Sequence, residues 1–245
     1  TRETLCDGTF TSSDRLKSQW ADIAYGAGTF IAIAKEAEGY TTRDGDTMNV
    51  IPAVWVMTSD DDGITWGRCN SLGTFTGNDH RWNSITWGNI GGADGTFVAV
   101  GGINCRLMYS KDKGASWKNE LCAEGTIYKS VAFGNNVFVA VSDIGSVAIF
   151  DAVTLTTQKR SNYLLGNNPE WRSLAFGDGV FVAVGGKEDA PDAQNVMTSL
   201  DGLEWTRSDS FSPGYIWSSV TYDKATRQFV AVAQQYMGND REMRI

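Results

Sequence analysis

One apolar phrase occurs five times in this chain: Phe30-Ile-Ala-Ile-Ala34, Phe97-Val-Ala-Val-Gly101, Phe138-Val-Ala-Val-Ser142, Phe181-Val-Ala-Val-Gly185 and Phe229-Val-Ala-Val-Ala233. A chain built this way folds as a series of like units, because every copy presents the same surfaces to be covered. Successive Phe anchors are 67, 41, 43 and 48 residues apart. A period of forty-odd residues is that of propeller blades. Both alternation faces of the phrase are apolar, which suits a strand covered on two sides and not one half open to water.

Each phrase sits in the same frame. Ahead of it a short apolar run opens at Trp20, Trp82, Tyr128, Trp171 and Trp217, with Ser two places on in four copies and Asp22 in the first. Behind it comes a third run, as in Val54-Trp55-Val56-Met57-Thr58, Leu107-Met108-Tyr109 and Val196-Met197-Thr198, and a fourth follows a polar turn. β-Branched and aromatic residues fill these runs, Gly, Asn and Asp punctuate the gaps, and no long helical period is present. The pattern predicts an all-β chain, a five-bladed β-propeller of four-stranded antiparallel blades. It forms one domain over residues 1–245, with blades at about 20–69, 82–122, 128–161, 171–208, and 217–245 plus 1–6. The last assignment rests on the ends. The fifth unit stops at Met243-Arg244-Ile245, where its third strand falls, while Thr1-Arg-Glu-Thr-Leu5 looks like the run after a fourth-strand Trp, as in Trp205-Thr-Arg-Ser208. The N-terminal strand is therefore expected to close the last blade and remove the open seam of the ring.

With 42% apolar residues and 28 aromatics (11 Phe, 9 Trp and 8 Tyr) in 245, the chain can bury a core of that size. A net charge of -8 lacks the basic footprint that nucleic acid requires, and no apolar run approaches the ~18 residues of a membrane span. Neither nucleic-acid binding nor membrane insertion is expected. The chain opens at Thr1 with neither Met nor an apolar leader, which reads as a processed chain or an excised piece.

Between third and fourth strands stand Ser59-Asp-Asp-Asp-Gly-Ile-Thr-Trp66, Ser110-Lys-Asp-Lys-Gly-Ala-Ser-Trp117 and the shorter Ser199-Leu-Asp-Gly-Leu-Glu-Trp205. They resemble the Asp-box, the Ser-x-Asp-x-Gly-x-Thr-Trp hairpin of sialidase-like propellers, also called the BNR repeat. In such a turn the Asp carboxylate accepts backbone N–H groups, Gly permits positive φ and Trp packs beneath. The resemblance implies a structural role for Ser59, Asp61, Gly63 and Trp66, for Ser110, Asp112, Gly114 and Trp117, and for Ser199, Asp201 and Trp205, away from any active face. Calcium binding by the acidic run at Asp60, Asp61 and Asp62 is the weaker reading. The unit opening at Tyr128 departs, running Val147-Ala-Ile-Phe150 and then Asp151-Ala-Val-Thr154 with no box.

A sialidase-like enzyme brings three Arg to the ring centre, a Tyr nucleophile paired with Glu, and an acidic Asp. None of these can be placed here. The arginines follow no repeat phase, although Arg172 lies inside a first strand where it can face the channel. Five blades are also one fewer than a sialidase has. His80, the single His, cannot anchor a triad or a metal site. The four cysteines, Cys6, Cys69, Cys105 and Cys122, have no CxxC spacing and read as buried thiols, or as one pair joining Cys105 to Cys69 or Cys122. No metal or cofactor is implied.

In a propeller the loops from second to third strands, and from fourth to the next first, share one face, and the box turns occupy the other. The longest insert on the first face, residues 35–53, carries Tyr40, Arg43, Asp44 and Asp46. It is joined by Lys187-Glu-Asp-Ala-Pro-Asp192, by Asn162-Tyr163 with Asn167-Asn168, by Tyr215 and by Gln235-Tyr236. Aromatic plates beside Asn, Asp and Arg suit a protein interface or sugar stacking, so Tyr40, Arg43, Asp44, Tyr163, Asn167, Tyr215 and Tyr236 are the candidate ligand-binding residues. The expected function is a non-catalytic binding or assembly module that contacts protein, or glycan, through this face. The strand phrases are similar to repeats of phage tail and bacterial surface proteins, which implies adhesion or assembly in a virion or a secreted or cell-surface complex. A sialidase-like glycoside hydrolase and a dedicated lectin are the alternatives.

Overall fold

A computed structural model describes residues 8–9, 17–38, 40–44, 47–51, 55–69, 81–91, 94–101, 106–121, 126–162, 170–187, 195–208, 215–237 and 240–244. Among them every regular element is a strand, and no helix is long and apolar enough to cross a membrane. The chain divides into two compact units, Thr1–Leu121 and Cys122–Ile245.

The first unit contains β1 (Gly8–Thr9), β2 (Lys17–Gly26), β3 (Thr29–Glu38), β4 (Tyr40–Asp44), β5 (Thr47–Ile51), β6 (Val56–Ser59), β7 (Gly67–Arg68), β8 (Trp82–Gly88), β9 (Thr96–Gly101), β10 (Arg106–Ser110) and β11 (Lys118–Leu121). They form one sheet in the order β1-β7-β6-β3-β2, another in the order β11-β10-β9-β8, and a ribbon of β4 with β5. The second unit contains β12 (Tyr128–Gly134), β13 (Val137–Ser142), β14 (Ser146–Asp151), β15 (Thr157–Asn162), β16 (Trp171–Gly177), β17 (Val180–Gly185), β18 (Val196–Ser199), β19 (Thr206–Arg207), β20 (Tyr215–Asp223), β21 (Gln228–Met237) and β22 (Asp240–Arg244). Its sheets run β12-β13-β14-β15, β16-β17-β18-β19 and β20-β21-β22.

All the pairings are antiparallel, and each recurring Phe phrase is the second strand of its sheet. Its expected burial on both faces is met where sheets stack: Phe97, Val98, Ala99 and Val100, and likewise Phe138, Val139, Ala140 and Val141, are fully buried. In β21 the phrase is only partly covered, and Val230 is exposed.

Two devices read directly from the repeat hold neighbouring sheets together. The first is the aromatic-Gly pair closing four of the five first strands, the fifth ending in Tyr222-Asp223. A Cβ added to Gly134 would lie 2.3 Å from the Phe176 ring of the next sheet, and one added to Gly177 would lie 2.1 Å from the Tyr222 ring. In the first unit Gly26 seats Trp87 in the same way. The second device explains the recurring Ser. Each first strand is the edge of its sheet, so some of its N–H groups lack a ladder partner. In three of the sheets the residue two places after the strand-opening aromatic reaches across to the next sheet. Ser130 Oγ accepts from the Leu174 N–H at 3.0 Å, Ser173 Oγ from the Val220 N–H at 3.1 Å, and Asp22 Oδ2 from the Ile85 N–H at 2.9 Å. A bulge at the intervening residue kinks all five first strands at the same step.

The structure differs from the sequence expectation in three places. Four strands per sheet holds for the three middle sheets, whereas the first has five strands and the last has three described ones. Residues 1–6, expected to complete the last sheet, lie outside the described residues. The described part of the N-terminal segment pairs elsewhere: Gly8 faces Arg68 and Thr9 faces Gly67, so β1 covers the outer edge of β7, whose N–H and C=O groups would otherwise lack partners. As expected, the segment at Met243 is a third strand, with Gln234 opposite Met243 and Ala233 opposite Arg244. Finally, the insert at 35–53 is largely paired backbone, because β3 continues to Glu38 and β4 pairs with β5 from Tyr40 opposite Ile51 to Asp44 opposite Thr47.

Candidate functional site

The Ser-Asp turns are closed hydrogen-bond units. In the first, Ser59 Oγ donates to Asp61 Oδ1 at 2.8 Å and accepts from the Gly63 N–H at 3.0 Å. Asp61 accepts from the Thr65 N–H at 2.8 Å and its hydroxyl at 2.5 Å, and Trp66 Nε1 donates to the Gly63 carbonyl at 3.0 Å. The second turn repeats this: Ser110 Oγ bonds Asp112 and the Gly114 N–H, and Asp112 accepts from the Ser116 N–H at 2.9 Å. In the third, Asp201 accepts from the N–H groups of Leu203 at 2.7 Å and Glu204 at 2.9 Å, and Trp205 Nε1 donates to the Gly202 carbonyl at 2.8 Å.

These bonds favour the charged carboxylates. Donation from the Thr65 hydroxyl and N–H, then from Ser59, pulls Asp61 down to about 2. For Asp112 burial pushes upward, but the Ser116 hydroxyl and N–H and the Ser110 hydroxyl outweigh it and the group is lowered. Asp201 is lowered chiefly by the Glu204 N–H. Carboxylates so engaged are poor acids and bases at neutral pH. Among the described residues no three His, Cys, Asp or Glu side chains gather as metal ligands.

The unit opening at Tyr128, which lacks the box in sequence, has an equivalent turn that sequence reading missed. Asp151 Oδ1 accepts from the N–H groups of Val153 at 2.9 Å and Thr154 at 2.8 Å, and from the Thr154 hydroxyl at 3.0 Å. Leu155, with φ 59° and 1% exposure, is buried under this turn. The signal was an Asp at a strand end followed by Thr three places on.

The candidate binding residues separate. Tyr40, Arg43 and Asp44 lie together on β4 of the ribbon, and Tyr236 lies on β21 opposite Arg241. Tyr215 begins β20, half-buried, with its ring 6.0 Å from that of Trp217, and its carbonyl accepts from Asn195 Nδ2 at 2.9 Å. Tyr163 and Asn167 fall outside the described residues, as do Asp46, His80, Cys6, Cys105 and Cys122. Cys69 is a buried thiol whose Sγ donates to the Gly114 carbonyl at 2.7 Å.

What the structure does assemble is a pocket of about 560 Å³ in the second unit, lined by Lys129, Asp143, Ile144, Glu170, Trp171, Arg172 and Lys187. Lys129 and Arg172 are the bulged residues of β12 and β16, each directly after a strand-opening aromatic. Asp143 and Ile144 form the turn from β13 to β14, and Lys187 begins the connection from β17 to β18. These are loops from second to third strands, the end of the sheets nominated from sequence. Lys129 Nζ lies 3.1 Å from Asp143 Oδ2, and Arg172 Nη2 lies 3.7 Å from Glu170 Oε2. Three cations against two carboxylates give the pocket a net positive charge within a chain of net charge -8.

Repeating antiparallel sheets with packed inner edge strands define the class as a β-propeller fold, and comparison with solved structures supports it. The chain superposes on YCF48 from Cyanidioschyzon merolae with a TM-score of 0.57 at 13% identity, covering 96% of this chain and 74% of that one. For a structure described as YCF48 bound to D1 peptide the TM-score is 0.54 at 14% identity, with 90% of this chain and 61% of that chain covered. For the WD40 domain of Neurospora crassa Pan2 it is 0.51 at 13% identity, with 89% and 73% covered. The chain thus spans less than two thirds of YCF48 in the peptide complex. No protein-family model matches the chain, and no curated protein matches it in sequence.

Proposed function

We propose that this chain is a non-catalytic binding or assembly module that contacts protein partners through the loops joining second to third strands. On this reading its sheets are the blades of a single five-bladed propeller of the Asp-box type, with residues 1–6 completing the last blade. The setting is a virion or a secreted or cell-surface complex. One observation carries the reading: the polar groups that recur in phase with the repeat hold backbone N–H groups, while charged residues out of phase gather in one pocket at the loop end. Groups committed to the scaffold are not available for acid-base or nucleophilic work. Solved neighbours with this fold include one bound to a peptide.

The test is a three-way comparison on the full chain. A fluorogenic sialoside panel gives no turnover, a glycan array gives no signal, and cross-linking in the native assembly maps an interface above about 1,000 Å² to the loop-end residues. Sialoside turnover abolished by substituting Arg172 would overturn the reading in favour of the hydrolase. Array signal lost on replacing Tyr40, Tyr215 or Tyr236 by Ala would favour the lectin.

A further inference from the structure

We infer that the pocket formed by Lys129, Arg172 and Lys187 receives an acidic side chain from a peptide segment of the protein partner, an inference that rests on the binding-module reading above. Its donors are arranged for an acceptor that no described residue of the chain supplies. Arg172 has five N–H donors in a planar fork, and the carboxylate it pairs with among the described residues, Glu170, stands at 3.7 Å, too far for a hydrogen bond. Among the described residues Lys187 makes no ion pair. Lys129 is already matched by Asp143 at 3.1 Å and Arg172 is held only by the longer pair with Glu170, so among the described residues the unmatched charge is that of Lys187, with the Arg172 fork beside it.

The surroundings select among anions. A doubly charged phosphate would sit against both Asp143 and Glu170, and like charge disfavours it more than a single carboxylate. A sugar acid would find neither the three-Arg clamp of a sialidase nor an exposed aromatic face for its ring, since Trp171 is 1% exposed and the apolar surface the pocket offers is Ile144, 42% exposed. A carboxylate on a flexible stem beside an apolar side chain meets both requirements: the fork binds the acid bidentately, and Ile144 covers the neighbouring residue.

The experiment pans a random twelve-residue peptide library against the full chain. A selected peptide and its Asp-to-Asn, Glu-to-Gln twin are then titrated by fluorescence anisotropy. Selection of peptides rich in Asp or Glu with an adjacent apolar residue is expected. The amide twin, R172Q and K187Q should each weaken binding about tenfold, because a hydrogen bond to a charged group contributes about that factor. K187E, whose side chain lies at a loop end outside the core, should reverse the preference towards basic peptides. Unchanged urea midpoints establish that the variants are folded. Selected peptides without acidic enrichment, binding indifferent to R172Q and K187Q, or displacement by millimolar inorganic phosphate but not acetate each overturn the inference while leaving a peptide-binding module standing. Failure to select any peptide, together with no interface in the native assembly, removes the underlying reading as well.

Discussion

Replacing Gly63 by alanine and Gly114 by alanine makes one chemical change at the same place in two repeats, but the surroundings differ. Both glycines follow a residue of positive φ and have left-handed backbones themselves, φ 82° and 84°. Alanine in that region costs about 1–2 kcal/mol, and loss of unfolded-chain freedom returns about 0.4–1 kcal/mol. These contributions are common to both sites. The added Cβ is not. At Gly63 its nearest neighbour is Trp66 Cζ2 at 3.9 Å, an ordinary contact, whereas at Gly114 it falls 2.8 Å from Ile31 Cδ1 and 2.9 Å from Thr58 Cγ2. Ile31 is fully buried and has little room to yield. Overpacking of a filled core adds about 1–3 kcal/mol, so Gly114→Ala should be less stable than Gly63→Ala by that amount. Both sites lie in the first unit, so a single urea transition reads both, with the midpoint moving and the slope constant. Equal midpoints for the two variants would show that the Ser-Asp turn does not press on the neighbouring sheet.

Ser130→Ala and Ser173→Ala each strip the acceptor from an N–H on the next sheet, and each should lose about 1–3 kcal/mol in urea unfolding; a loss near zero would make the recurring Ser a mere propensity effect. The carboxylates predict opposite pH responses. Asp61, Asp112 and Asp201 have folded values below that of an ordinary aspartate, so the unfolded chain takes up protons first, and their contribution, present above about pH 4, is lost as pH falls towards 2. Asp22 runs the other way, because burial raises it above 3.8 despite hydrogen bonds from Ile85, Ile23 and Ser84. Its contribution is greatest below 3.8 and falls as pH rises through its raised value. Urea midpoints from pH 7 to 2 should show Asp61→Asn losing stability at neutral pH with the deficit closing in acid, and Asp22→Asn gaining at neutral pH with the gain closing in acid; parallel curves would refute both assignments.

The strands were legible because burial on both faces leaves a mark in composition: Phe97, Val98, Ala99 and Val100 have nowhere polar to point. The turns were legible because positive φ at Gly63 and Gly114 and a carboxylate under the N–H groups leave few alternatives. The Asp151 turn carries no box signature because its positive φ, 59°, falls on Leu155 and that leucine, not a Trp, is buried beneath it. The destination of Gly8 and Thr9 was illegible for another reason. Two residues of backbone pairing carry no side-chain preference, so any open edge, that of β7 included, satisfies them equally. The ribbon of β4 and β5 is hidden in the sequence because its Thr, Asn and Asp residues look like connection, while its pairing is a backbone matter.

The bulge in each first strand separates scaffold from site. The residues flanking it are fixed by their tasks: an aromatic packs before it, as Trp82 and Trp171 do almost completely buried, and a Ser or Asp after it reaches the next sheet. The bulged residue itself has no ladder partner opposite it and no recurring task. Its identity is accordingly unconstrained by the fold: Ala21, Asn83, Lys129, Arg172 and Ser218. Placing cations at this position in two consecutive repeats, and no others, brings them to adjoining edge strands, since β12 and β16 pack side by side. The pocket's two strand-borne cations, Lys129 and Arg172, therefore stand at the one step of the first strand whose residue differs in every copy. The positions that repeat carry the architecture, and Lys129 and Arg172 stand at the one that does not.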